Sequence, residues 1–309
     1  IYINGEHIAY KTKSLQTIHP GLNFTTLKEG ASYYNGDMSV PVLFSKVLSD
    51  KEISQLVAKG YTRNTDERIL DWIPYADTRS LLAWSDGNYE FVTSDGIKRE
   101  VKVEKTGSPV MINQKWEVSF PKGLGAPEKI SLPKLFSLHR HEDEGVKYFS
   151  GTATYKTNFV VKPSMMSEDR VVFLDLGAVE VMAEVIVNGV NKGIFWSRPY
   201  LIDVTDVLKP GENTLEIKVT NQWTNRLIGD EQLPEENEYV PGGGVNGIAA
   251  LSRGAIRKLP DWYRNGVNKP EGGRVAFTTW KHYRKDSPLI ESGLIGPVRL
   301  IPAKKIEFE

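Results

Sequence analysis

Apolar and polar residues alternate along two neighbouring stretches near the middle of the chain. In the first stretch Ala183, Val185 and Val187 alternate with other residues, and an Asn-Gly pair follows at 188–189. A period of two indicates a half-buried strand, and Asn-Gly supplies the two positive-φ positions of a tight hairpin. We therefore predict a strand that turns back at residues 188–189.

The second stretch predicts another strand and the segment that follows it. Leu215, Ile217 and Val219 occupy alternate positions, and Pro210-Gly211 just before them fits the central positions of a type II turn. Residues 221–226, Asn-Gln-Trp-Thr-Asn-Arg, hold too few apolar positions to continue the alternation. We predict a strand over 214–220 that ends in a loop at the edge of a sheet.

Similar short strands, separated by turn residues, are predicted through most of the chain after residue 108. They cover 116–120, 151–161, 170–176, 184–187, 214–220, 274–279 and 298–302. Strands of this length and spacing are typical of an antiparallel β-sandwich, here a jelly roll. A long irregular segment over 230–273 interrupts them, and segments of that kind are usually functional, disordered or part of an interface.

Residues 1–108 are predicted to form a smaller, mixed and mostly β domain. Its one helix is predicted over 49–60, where a capping box precedes helically spaced apolar residues and Gly60. A hairpin is predicted over 89–104, with an Asp-Gly turn. A short Gly, Ser and Pro stretch at 105–109 marks the boundary, so the second domain is predicted over 109–309.

The bulk composition is that of an ordinary globular protein. The chain is 40% hydrophobic and 25% charged. Its length of 309 residues predicts two domains. Its formal net charge of zero gives no electrostatic case for binding to nucleic acid or to an anionic membrane. The absence of cysteine excludes disulfides, thiolate metal sites and cysteine nucleophiles. Because the chain begins at Ile1 and shows no signal-peptide pattern, we expect a piece of a longer protein.

One cluster of polar and aromatic residues follows the strand over 214–220. It contains Asn221, Trp223, Asn225, Arg226 and Asp230. A sugar needs polar partners for its hydroxyls beside an aromatic plane for its ring, and this cluster offers both. The alternative is structural, with an ion pair between Arg226 and Asp230 that fixes the loop.

Two further aromatic groups allow the same two interpretations. Trp196 and Tyr200 could stack on a sugar ring or form an apolar plug beneath their loop. A later group could line a glycan groove or pack against a neighbouring domain: Trp280, His282, Tyr283 and Arg284.

Titratable clusters offer weaker candidates for metal binding and acid catalysis. His139 and His141 could ligate a metal, and Glu142 or Glu144 could act as a general acid, but the run also fits an exposed, solvated connection. Four carboxylates could bind calcium, although they lack EF-hand spacing and also fit a solvated acidic loop: Glu231, Glu235, Glu236 and Glu238. The sequence therefore predicts no firm metal ligand or cofactor, with calcium as an option.

Several of these motifs together resemble a known domain. They are the run at 146–155, the Asn-Gly turn, Trp196 with 199–200 and 203–205, and the Pro-Gly-Glu-Asn of 210–213. This set resembles the sugar-binding jelly roll of glycoside hydrolase family 2. Three longer motifs, at 225–230, 277–280 and 291–298, resemble the C-terminal region of the bacterial α-L-rhamnosidases of glycoside hydrolase family 106. The resemblance covers roughly residues 111–302.

The resemblance implies a catalytic apparatus that this chain does not supply. Members of that family resemble inverting glycosidases, which hold two carboxyl groups about 6.5 to 9.5 Å apart. Those groups belong to a (β/α)₈ barrel of about 250 residues with alternating strands and helices, and this sequence shows no such alternation. No catalytic residue is therefore carried over to this chain.

We expect a non-catalytic C-terminal region of an exported bacterial polysaccharide-degrading enzyme, acting in the periplasm or outside the cell. It would support the catalytic domain of the parent enzyme and contribute to recognition of a rhamnose-containing glycan. Two alternatives stay open: an independent carbohydrate-binding module, and a hydrolase that uses Glu142, Glu144 or Glu231.

Overall fold

The protein is described by a computed structural model. The described residues are 2–3, 6–7, 49, 51, 70–72, 80–92, 96–240, 254–270 and 272–307. The chain divides into two compact units, residues 1–66 and 67–309. In the first unit, the short strands β1 (Tyr2–Ile3) and β2 (Glu6–His7) pair in antiparallel fashion. The helix predicted over 49–60 lies outside the described residues, apart from positions 49 and 51.

The second unit consists mainly of β-strands. In chain order the strands are β3 (Leu70–Trp72), β4 (Ser80–Ala83), β5 (Gly87–Val92), β6 (Lys98–Val103), β7 (Val110–Met111), β8 (Trp116–Ser119), β9 (Lys129–Leu132), β10 (Thr152–Val161), β11 (Arg170–Asp175), β12 (Ala178–Glu180), β13 (Met182–Val187), β14 (Val190–Phe195), β15 (Leu201–Asp203), β16 (Gly211–Thr220), β17 (Gly293–Gly296) and β18 (Arg299–Glu307). The described α-helices are α1 (Glu144–Lys147), α2 (Thr224–Asp230) and α3 (Asp261–Arg264). Short 3-10 helices cover Leu138–Arg140 and Pro163–Met165.

Two antiparallel sheets form the body of this unit. The first has the strand order β14-β13-β16-β10-β8-β9, and the second has the order β15-β11-β18-β4-β3, with β7 also paired to β18. Their inner faces share one hydrophobic cluster, which includes Tyr155 of β10, Ile217 of β16 and Leu174 of β11. The predicted mainly β, galactose-binding-like sandwich is confirmed.

The division between the two units lies upstream of the predicted boundary at 108/109. Strand β4 pairs with β18 near the C-terminus, and the hairpin of β5 and β6 packs on the same sheet through Leu81, Val103 and Ile306. These long-range pairings place residues 80–103 in the second unit. The roles predicted for the segments, accessory and sugar-binding, stay predictions.

The two turns inferred from the sequence adopt the predicted backbone conformations. Asn188 and Gly189 have φ values of 49° and 82°, and Gly211 has a φ of 87°. The Asn188 side chain adds bonds across the turn, because its Nδ2 donates to Asn213 Oδ1 at 2.7 Å and its Oδ1 accepts from the Thr214 backbone N–H at 2.9 Å. The alternation over 215–219 is also confirmed, since β16 buries Leu215, Ile217 and Val219.

Two predicted elements differ from the structure. Residues 274–279 do not form a strand, because the backbone N–H groups of Val275 and Ala276 bond to the Asp230 side chain. The loop predicted over 221–226 becomes helical from Thr224. Hydropathy does not reveal this helix, because α2 buries polar side chains as well as apolar ones.

The close approach of β17 to β10 requires a glycine at position 293. Tyr155 is fully buried, its hydroxyl accepts a hydrogen bond from the Leu294 N–H at 3.2 Å, and burial raises the pKa of this phenol. A Cβ at Gly293, where φ is 87°, would lie against the Tyr155 hydroxyl and the Leu138 side chain. No side chain larger than hydrogen fits there without displacing the core.

We predict that Gly293→Ala lowers the free energy of unfolding by about 3 kcal/mol, the sum of left-handed backbone strain and overpacking. Gly211→Ala is the matched control, because Gly211 has the same φ of 87° but no described atom lies within 4 Å of the place that a Cβ would occupy. It should cost only the backbone strain, about 1 to 2 kcal/mol. Urea denaturation of both variants checks this, and equal losses would show that packing around Tyr155 is not the constraint.

Candidate functional site

Helix α2 is fastened to the sandwich by the side chains at its start. The Asn221 side chain accepts from the Gly151 N–H at 2.8 Å and donates to the Phe149 carbonyl at 2.9 Å. Asn225 exchanges two bonds with the backbone of Ile290, at 2.8 and 2.9 Å. The two side-chain amides therefore satisfy backbone groups of Phe149, Gly151 and Ile290 that a neighbouring strand would otherwise pair with.

A buried ion pair fixes the other end of α2. Arg226 and Asp230 are 5% and 3% exposed, and Arg226 Nε lies 3.1 Å from Asp230 Oδ1. Asp230 also accepts from the backbone N–H groups of Val275 and Ala276, at 3.0 and 2.7 Å. The guanidinium carbon of Arg226 lies 5.9 Å from the centre of the Tyr148 ring. The pair thus connects α2 to the segment that begins at residue 274.

The structure divides the seven predicted site residues into two groups. Asn221, Asn225, Arg226 and Asp230 bond to the protein itself, as described above, and Tyr200 is buried, with its hydroxyl donating to the Val181 carbonyl at 2.6 Å. Burial, assisted by the Glu180 carboxylate, raises the pKa of Tyr200.

Two of the seven predicted residues are exposed, Trp196 at 73% and Trp223 at 48%. Direct contact with a sugar requires an accessible side chain. Sugar contact stays a prediction for all seven residues, of which these two tryptophans are the most accessible, while the side chains of the other five are held by bonds within the protein.

A cleft of about 800 Å³ opens beside the end of α2, and three irregular segments build its wall. The Val240 N–H donates to the Ala255 carbonyl at 2.8 Å, and the Lys281 N–H donates to the Gly254 carbonyl at 2.9 Å. The Ile256 N–H donates to the Thr279 carbonyl at 2.8 Å. These bonds hold residues 238–240, 254–257 and 278–281 side by side, although none forms a regular strand.

Three half-buried aromatic side chains line the cleft: Tyr239, Trp280 and Tyr283. The Tyr239 hydroxyl donates to the Thr278 carbonyl at 3.0 Å, and the Tyr283 hydroxyl lies 3.2 Å from Thr224 Oγ1 of α2. The two tyrosines are therefore held in place at their polar ends. Their rings, with that of Trp280, supply the apolar surface of the cleft.

The charged side chains of Glu231, Glu235 and Lys281 line the same cleft, and Arg274 lies behind the two glutamates. Arg274 Nη1 lies 2.7 Å from Glu231 Oε1 and 3.2 Å from Glu235 Oε1. Glu235 also pairs with Lys281, whose ammonium nitrogen lies 5.1 Å from the centre of the Tyr239 ring. Both glutamates are thus neutralised by basic neighbours. They form part of the wall that links α2 to residues 274–285.

Three of the four carboxylates considered for calcium bind basic groups. Besides Glu231 and Glu235, Glu236 lies 2.9 Å from Lys269 Nζ and accepts from the Arg274 N–H at 2.7 Å. Burial opposes ionisation of Glu236, but these two bonds outweigh it and hold its pKa below the usual value. Among the described residues, no group of three or more His, Asp or Glu side chains is arranged to hold a metal ion.

The cluster at 139–144 lies apart from the cleft-lining residues. His139 Nδ1 lies 2.6 Å from Ser137 Oγ, and burial, together with the charge of Arg140, lowers the pKa of His139. Glu142 and Glu144 are exposed, and α1 begins at Glu144 with Asp143 as its N-cap. Of the three carboxylates considered for hydrolysis, only Glu231 reaches the cleft.

The sequence indicated part of the cleft and missed the rest. Trp280, His282, Tyr283 and Arg284 do line one cavity, as the groove interpretation requires. Tyr239 was not singled out by the pattern, although it lies just before the Pro-Gly-Gly-Gly sequence of 241–244, and loop sequences of this kind often carry functional residues. Within the described residues, no helix has the length and apolar content needed to span a membrane.

We predict that Asp230→Asn lowers the free energy of unfolding by about 3 kcal/mol, because it leaves Arg226 buried without its counter-charge and removes one acceptor from residues 275–276. The matched control is Asp206→Asn, which removes an exposed pair with Lys192 and should cost less than about 1 kcal/mol. Thermal and urea unfolding provide the measurement. A loss at position 230 no larger than the control would contradict this structural role.

The chain resembles known glycoside hydrolases over part of its length. Residues 134–263 match the sequence model of the family described as glycosyl hydrolase 2 galactose-binding domain-like. A putative beta-glucuronidase from Formosa agariphila is 40% identical over 214 residues, which cover 69% of this chain. This chain spans only 17% of that protein's length.

Solved structures of similar proteins include two glycosidases. A rhamnosidase from Novosphingobium sp. PP1Y is 38% identical with a TM-score of 0.49, covering 65% of this chain and 16% of that protein. A β-glucuronidase from Ruminococcus gnavus is 22% identical, with a TM-score of 0.32. The matched region covers 38% of this chain and 22% of the β-glucuronidase chain. The predicted relationship to glycoside hydrolases is confirmed by the sequence matches. Residues 134–263 are thus similar to the galactose-binding-like domain of family 2 glycosyl hydrolases.

Proposed function

We propose that this chain is an accessory region of a larger glycoside hydrolase and that it recognises carbohydrate through the cleft beside α2. The observation that carries the proposal is the combination of Tyr239, Trp280 and Tyr283 with polar and charged groups in one cavity. Aromatic planes accept the apolar faces of sugar rings, while polar groups fix the hydroxyls. The match to a galactose-binding-like family supports the same class of ligand.

The region is proposed to be non-catalytic. The described part of the chain consists of antiparallel sheets and short helices, whereas the barrel that carries a glycosidase carboxylate pair needs alternating strands and helices over about 250 residues. The relative from Formosa agariphila extends far beyond the matched residues, because the match covers 17% of it. A catalytic domain elsewhere in the parent protein is thus the proposed partner.

The finer identity is proposed from the motifs described in the sequence. Residues 225–230, 277–280 and 291–298 resemble the C-terminal region of family 106 α-L-rhamnosidases, which favours a rhamnose-containing glycan as the ligand. Degradation of such a polysaccharide by a bacterium would place the enzyme in the periplasm or outside the cell. An independent carbohydrate-binding module remains the alternative function, and it differs by binding glycan without any catalytic partner.

Hydrolysis measurements test whether the chain acts alone. We expect no turnover of an aryl α-L-rhamnoside or a rhamnose-containing pectic oligosaccharide by the 309-residue chain, and turnover by a version extended with its native neighbouring sequence. Turnover by the short chain would refute the non-catalytic assignment. Its loss in Glu231→Gln, but not in Glu142→Gln or Glu144→Gln, would then locate the chemistry in the cleft.

Binding measurements test the cleft. We predict that Trp280→Ala weakens binding of the pectic oligosaccharide about tenfold, through loss of a stacking plane worth roughly 1.4 kcal/mol. Ligand-detected NMR at millimolar sugar suits the weak affinity expected of an isolated accessory region. Circular dichroism of the variant checks its fold.

Trp196→Ala and Trp223→Ala provide the comparison, because both side chains are exposed and neither lines the cleft. Binding within about twofold of the unmodified chain is expected for both. The reverse pattern, with losses at 196 or 223 and none at 280, would move the sugar site to the exposed tryptophans.

A further inference from the structure

The cleft holds more basic than acidic side chains, in a chain whose formal net charge is zero. Lys281, Arg284 and Lys285 line it together with two carboxylates, Glu231 and Glu235. Both carboxylates already have basic partners, since Glu231 pairs with Arg274 and Glu235 pairs with Arg274 and Lys281. The acidic groups of the cleft are therefore satisfied within the protein.

Two of the basic groups have no such partner. The side chains of Arg284 and Lys285 are exposed and make no ion pair or hydrogen bond with any residue in the described part of the chain. Their backbone is nevertheless fixed, because the Arg284 N–H donates to Ser287 Oγ at 3.0 Å and the Lys285 carbonyl accepts from the Gln232 side chain at 2.8 Å. Two unpaired cations are thus presented at a defined place beside the aromatic rings.

We propose that the ligand of this cleft is an acidic glycan, whose uronic acid carboxylate is bound by Arg284 and Lys285 while a sugar ring lies against the aromatic side chains. The inference rests on the proposed carbohydrate-binding function and adds the chemical class of the sugar. A neutral sugar offers only hydroxyls, whereas a carboxylate forms shorter, charge-assisted bonds with guanidinium and ammonium groups. The aromatic rings beside the two cations explain why a sugar acid fits better than a free anion.

The first test compares two forms of one ligand. A pectic oligosaccharide of alternating rhamnose and galacturonic acid is measured beside its carboxyl-reduced form, in which each uronic acid has become a neutral hexose. We expect the 309-residue chain to bind the acidic form at least about tenfold more tightly. The difference should shrink as sodium chloride is raised, because salt screens exposed charges.

A pair of double variants then locates the charge effect. Arg284→Gln with Lys285→Gln should remove most of the preference for the acidic form, measured as the ratio of the affinities for the acidic and reduced ligands. Lys162→Gln with Lys209→Gln removes the same net charge from exposed positions that do not line the cleft, and it should leave the preference intact. Both variants should unfold at the same temperature as the unmodified chain.

Each contrary result has a distinct meaning. Equal binding of the two ligand forms would overturn this inference and leave the proposed function standing. An equal loss in both double variants would also overturn it, because the preference would then come from the overall charge of the protein. Failure to bind either form at millimolar concentration would overturn the proposed function of the isolated chain together with this inference.

Discussion

The pairing of β10 with β16 is the constraint on which the rest of the second unit depends. Ten residue pairs run without interruption from Thr152 opposite Thr220 to Val161 opposite Gly211. This register sets which side chains face the opposite sheet, because a slip of one residue would expose every buried position. It also determines where α2 begins, since Asn221 continues the ladder by bonding to Gly151 through both its backbone and its side chain.

Polar contacts of α2 connect the sandwich to the wall of the cleft. Helix α2 ends at Asp230, whose carboxylate is paired with Arg226 and holds the backbone at 275–276. The next residue, Glu231, bonds to Arg274, so the last turn of the helix and the wall of the cleft are joined by consecutive residues. Buried charges of this kind contribute less to net stability than to a defined geometry, because desolvation offsets much of their attraction.

The cleft itself is made of irregular backbone, which suits a binding role. Loops supported by a rigid sheet can present side chains that the alternation of a strand could not bring together. Tyr239, Trp280 and Tyr283 come from two segments about forty positions apart in the sequence. Both segments form backbone hydrogen bonds with residues 254–256, which lie between them. Charged side chains lie beside these rings, as the proposed recognition of an acidic glycan requires.

The sequence by itself determined the sandwich, because period-two alternation and turn residues act over short distances. The positive φ of Asn188, Gly189 and Gly211, and the buried face of β16, follow directly from local patterns. Only the tertiary structure determined which partners the polar side chains bond to. From the sequence alone, Asn225 and Asp230 suited a sugar site and a structural role equally well. Their partners in the protein are residue 290 for Asn225 and residues 275–276 for Asp230. These partners could not be predicted, because hydrogen bonds between distant segments leave no periodic signal in the sequence. For the same reason, only the folded chain could bring Tyr239 beside Trp280 and separate the paired glutamates from the unpaired Arg284 and Lys285.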